Sequence, residues 1–112
     1  MLTDKEMLEV ADYFINRMVK KGIETMIYTD AIIKKPYGNI YRYNTKEFIL
    51  TGDFNKSLAG GGPFLVEKET GRVVSLGTMS SLEDRIKAYE NGTMNTALDI
   101  YWYPDEDRFD YK

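Results

Sequence analysis

Two short signatures, Thr3 with Glu6 and Ser80 with Glu83, bound the fold most tightly. Each sets a hydroxyl three residues before a carboxylate, so the hydroxyl accepts from an early helical N–H while the carboxylate reaches back to the cap. Each therefore opens a helix. Behind the first, Met7, Ala11, Phe14, Ile15, Met18 and Val19 recur at helical spacing on one face, and Leu2 with Met7 suits a hydrophobic staple. Lys20 and Lys21 suit a carbonyl end, and Gly22 a stop. Behind the second, Leu82, Ile86 and Tyr89 mark a buried stripe that Asn91-Gly92 ends.

The segment between the helices reads as strands. Residues 23–33 are largely β-branched or aromatic and alternate, which predicts one strand; Pro36-Tyr37-Gly38-Asn39 supplies a turn, and residues 40–43 return beside it. Residues 47–51 are read as a short strand, and 52–62 as a glycine-rich loop. Phe64 to Glu67 and Arg72 to Leu76 flank Lys68-Glu69-Thr70-Gly71, with the glycine at the left-handed position of a hairpin turn. Residues 97–103 alternate Leu98, Ile100 and Trp102 against Asp99, Tyr101 and Tyr103, a further strand that Pro104 ends. The order α-β-β-loop-β-β-α-β predicts an α+β single domain over residues 1–112: an antiparallel sheet of about five strands with two helices packed on one side.

Composition narrows the chemistry. The chain has no His and no Cys, so metal sites built on imidazole or thiolate, Ser/His and Cys/His nucleophiles, and disulfides are excluded within it. No apolar run approaches the ~18 residues of a membrane span, and the start lacks the features of a secretory signal, so the expected compartment is the cytoplasm. The net charge of −3 belongs wholly to residues 99–112, because acids and bases balance over residues 1–98. With basic pairs only at Lys20-Lys21 and Lys34-Lys35, a phosphate-binding stripe is absent and nucleic-acid binding is not expected.

Other constellations have bland readings. Gly60-Gly61-Gly62 runs into a proline and a strand where a phosphate cradle would run into a helix, so no cofactor is expected. Asp105, Glu106, Asp107 and Asp110 lack the spacing of a calcium loop, so no metal is expected either. These acids read equally as a solvated tail or as a surface that steers a basic partner. Among the nine tyrosines, Tyr89 reads as packing, like Trp102, and Tyr41 with Tyr43 as a sheet wall or a binding surface. Tyr101, Tyr103 and Tyr111, beside the acids, read as exposed. No carboxylate pair is singled out for catalysis, so the chain is not expected to be an enzyme.

Over residues 58–78 the chain carries a glycine turn with Pro63, the apolar strand Phe64-Leu65-Val66, the turn Lys68-Glu69-Thr70-Gly71, and a second strand ending in Gly77-Thr78, followed by a helix closing on Tyr89. Upstream stand Pro36-Tyr37-Gly38, the aromatic strand Tyr41-Arg42-Tyr43 and Thr51-Gly52-Asp53. This pattern resembles the bacterial family catalogued as immunity protein 35, over roughly residues 32–89; a wider set of immunity proteins shares a similar arrangement. Asn39 departs from it, standing where members usually have Trp, as does Gly61, where many have a polar residue. The resemblance implies a cytoplasmic protein that binds and neutralises a cognate toxin domain without catalysis. A nuclease toxin would offer a basic cleft, which an acidic, aromatic patch fits. Asp99, Tyr101, Tyr103, Asp105, Glu106, Asp107 and Asp110 are accordingly the expected toxin surface. The alternative is a holdase-like stress chaperone that binds unfolded clients; a hydrolase that reverses toxin modification stands third.

Overall fold

The structure, a computed structural model, describes residues 1–18, 22–53, 62–76, 81–93, 101–104 and 108–109. Helix α1 spans Asp4–Met18 and opens on the expected box: Thr3 N donates to Glu6 Oε1 at 2.9 Å, and Glu6 N to Thr3 Oγ1 at 3.1 Å. These bonds satisfy two of the N–H groups that a helix start leaves without partners. The region expected as one strand over residues 23–33 is broken. β1 (Thr25–Ile27) gives way to a 3₁₀ turn at Thr29–Ala31, closed by Ala31 N donating to Tyr28 O at 3.1 Å, and then to β2 (Ile33–Lys35). The break lets the chain leave one sheet for another, since β1 pairs with β4 (Tyr43–Thr45) while β2 pairs with β3 (Gly38–Tyr41).

The second correction falls on residues 47–51. They belong to helix α2 (Lys46–Thr51), because the Thr45 hydroxyl accepts from Phe48 N at 3.0 Å and caps a turn that the apolar composition alone does not reveal. β5 (Phe64–Glu67) and β6 (Val73–Ser75) form the expected hairpin, with Gly71 at φ 78°. Helix α3 (Leu82–Asn91) ends at Gly92 as expected, but its cap is Ser81, whose hydroxyl accepts from Asp84 N at 3.2 Å. The expected cap, Ser80, lies outside the described residues. β7 (Tyr101–Tyr103) completes part of the strand expected over 97–103, and pairing does not stop at Pro104: β8 (Arg108–Phe109) returns antiparallel beside it.

The class is thus α+β with an antiparallel sheet. Among the described residues the main sheet runs β2-β3-β5-β6-β7-β8, and β1-β4 forms a separate pair against which α2 lies. The placement of the two long helices differs from expectation, for they cover opposite faces. Phe64 and Val66 of β5 join Met7, Ala11, Phe14 and Ile15 of α1 in one buried cluster with Tyr41, Val73 and Trp102. Leu65, between them, joins Ile40, Val74, Leu76 and Ile86 of α3 in a second. Successive side chains of a strand point to opposite faces, so consecutive apolar residues in β5 and β6 need a cover on both sides.

Candidate functional site

The strand registers put one row of side chains across the sheet on the α3 face. Lys35 pairs with Gly38, Gly38 with Glu67, and Val66 with Val73, so that Glu67 and Arg72 stand opposite each other at the mouth of the β5–β6 hairpin. Val73 pairs with Trp102, which brings Tyr103 beside Arg72 in the same way. Residues facing each other across an antiparallel pair lie within side-chain contact. The Arg72 guanidinium accordingly grips Glu67 in a fork, Nε to Oε1 at 2.6 Å and Nη2 to Oε2 at 3.0 Å, and also bonds Tyr103.

Helix α3 closes the row from above. Ile86 is buried against the sheet, Arg85 Nε donates to Leu76 O at 2.6 Å, and the last turn lowers Tyr89 and Glu90 onto the hairpin mouth. Tyr89 OH donates to Glu67 Oε2 at 2.5 Å; Tyr37 OH, from the β2–β3 turn, donates to Glu90 Oε2 at 2.6 Å. The two rings lie 5.1 Å apart at 41°. Partial burial pushes both phenols well above their ordinary 10.0, and the neighbouring carboxylates reinforce the shift because a phenolate there would face a negative charge. The fork with Glu67 raises Arg72 further still, so it stays a cation.

Tyr37, Glu67, Arg72, Tyr89, Tyr103 and Pro104 are among the lining of a cleft of about 790 Å³, at whose edge Glu90 accepts from Tyr37. Its size falls within the usual range of binding pockets. Among the described residues every buried side-chain nitrogen and oxygen has a partner. The wall of the cleft thus combines tyrosine rings with the Glu67–Arg72 ion pair.

Of the residues expected to meet a partner, Tyr103 reaches this cleft, partly buried where exposure was expected. Tyr101 lies in β7 opposite Val74. Asp99, Asp105, Glu106, Asp107, Asp110 and Tyr111 lie outside the described residues. Tyr41 and Tyr43 surround Phe64, with ring centroids 5.7 and 5.9 Å away, and so belong to the core wall. The sequence reading did not single out Tyr37, Glu67, Arg72 or Glu90 as site residues. One signal was available: a four-residue turn at 68–71 makes Glu67 and Arg72 facing neighbours of opposite charge.

No protein-family model matches the chain, and no solved structure does. Among curated proteins, the chain is 40% identical over 53 residues to the uncharacterized protein YrhB of Escherichia coli (strain K12). The matched stretch is 47% of this chain and 56% of that protein, so the chain spans little more than half of its relative's length.

Proposed function

We propose that this chain is an immunity-type inhibitor that binds a cognate bacterial toxin domain inside the cell and holds it inactive by non-covalent contact. The cleft on the α3 face carries the reading. Three tyrosine rings stand at its wall with their polar ends tied to Glu67, Glu90 and Arg72, which orders the contact surface before any partner arrives. Preorganised aromatic side chains offer large contact area at low entropic cost and dominate the energetics of many interfaces. Tyr103 lines this cleft and stands two residues before the acidic run that begins at Asp105 in the sequence. The resemblance to immunity protein 35 supplies the class of partner, and the net charge of −3 suits a basic one such as a nuclease.

The test is co-expression with the C-terminal domain of the protein that the adjacent upstream reading frame encodes, followed by purification and a survival assay. A one-to-one complex and protected cells are expected, with binding weakened at least tenfold by Tyr103→Ala. Joint replacement of Asp105, Glu106 and Asp107 by lysine is expected to slow association. Promiscuous capture of heat-unfolded clients, with no stoichiometric partner, would place the chain among holdases instead.

A further inference from the structure

Tyr37 and Tyr89 each spend their single O–H on a carboxylate. What they leave facing the cleft are oxygen lone pairs and ring faces, and donation of the hydroxyl proton toward an anion makes those faces richer in electrons. With Glu90 beside them, the two phenols and the carboxylate at this edge of the cleft act as acceptors toward any further partner. Its complement is a donor-rich cation with a flat face, which describes a guanidinium better than an ammonium. The molecule already satisfies the same chemistry once, a few residues away, where Arg72 lies forked on Glu67 beside Tyr89 and Tyr103.

At the Tyr37 end the resident cation is poorly matched. Lys35 Nζ stands 3.8 Å from Glu90 Oε2, beyond hydrogen-bond length, with side chains 33% and 38% exposed. So loose and wet a pair contributes little and is readily exchanged. Glu90 and Lys35 stand at the edge of the cleft beside Tyr37; the charged side chains of the lining itself are Lys68 and Glu69, opposite in sign, and Arg72 with Glu67, which hold each other. We propose that Glu90, with the rings of Tyr37 and Tyr89, is the docking point for an arginine side chain of the partner protein, which displaces Lys35. This rests on the reading of the cleft as a protein-binding surface and names the residue type that it takes.

The probe is a capped Gly-Arg-Gly peptide, with its lysine and citrulline counterparts, titrated while the Tyr37 and Tyr89 ring resonances are followed. The arginine peptide is expected to shift both rings saturably, the lysine peptide to bind about three- to tenfold more weakly, and the neutral citrulline peptide not to bind. Glu90→Gln, which can still accept from Tyr37, is expected to weaken arginine binding about tenfold. Lys35→Ala is expected to strengthen it by roughly threefold, because a competitor is gone; a merely structural role for Lys35 would give no gain. Equal binding of citrulline, or indifference to Glu90→Gln, overturns the proposal. If a toxin domain binds and Glu90→Gln leaves it untouched, the arginine site falls while the inhibitor reading stands; if the peptides behave as expected and no toxin binds, the reverse holds.

Discussion

The two faces of the main sheet are built from the same strands and do different work. On the α1 face, Phe14 lies 4.9 Å from Phe64 and 5.4 Å from Trp102, and Tyr13 stacks on the Trp102 indole at 5.5 Å. On the α3 face a smaller aliphatic cluster gives way within one residue to the polar row at Glu67 and Arg72. The four residues of β5 show the division: Phe64 and Val66 serve the aromatic core, whereas Leu65 serves the second cluster and Glu67 the cleft. The larger, aromatic cluster lies on the α1 face, and the α3 face sets its smaller cluster beside charges and phenols at a solvent boundary.

The largest expected effects probe that contrast directly. Phe64→Ala should cost about 3–5 kcal/mol in urea unfolding, and Leu65→Ala on the opposite face about 2–4 kcal/mol. Equal losses would mean that α3 contributes as much to the core as α1. Gly38→Ala should follow, at about 1–3 kcal/mol, because an added Cβ would collide with the Val66 carbonyl oxygen across the β3–β5 pair. Glu67→Ala leaves the Arg72 fork and the Tyr89 hydroxyl without their acceptor and should cost about 1–3 kcal/mol; Tyr89→Phe, which leaves the fork intact, should cost about 1 kcal/mol or less.

The smallest effects lie in the pH dependence. Tyr37 and Tyr89 hold their protons above the ordinary 10.0, so on raising the pH the unfolded chain ionises first. The stability that these phenols contribute is complete below pH ~10 and is lost above it. Paired replacement by Phe should flatten part of the alkaline slope, leaving the share of Tyr41 and Tyr43, which burial raises on the other face. At the acid end the sign reverses. Bonds from Lys34 and Asn39 lower Asp4 below its ordinary 3.8, and bonds with Thr3 lower Glu6 below 4.5. What they contribute is present above those values and lost as the pH falls through them. Unfolding free energies measured across both ranges check the two signs.

Much of the local structure was legible in the sequence because its causes are local. The Thr3–Glu6 box, the Gly71 turn and the stripe Leu82, Ile86, Tyr89 each depend on residues within a few positions of one another, and each stands where the pattern puts it. The strand expected over 47–51 failed because a single bond from Thr45 to Phe48 decides between helix and strand there, and apolar composition is blind to it. Consecutive apolar residues in β5 and β6 called for cover on both sides, but which helix lies on which side depends on how the chain crosses the sheet. The cleft is further still from the sequence. Glu67, Arg72 and Tyr103 are separated by up to 36 positions and meet because the β5–β6 and β6–β7 registers align them in one row. Sequence alone determined the start of α1, the β5–β6 hairpin and the excluded chemistries, since these follow from residue types and short spacings. Tertiary structure alone decided the opposed helices and the cleft of rings and charges, since registers and crossings are properties of the whole chain.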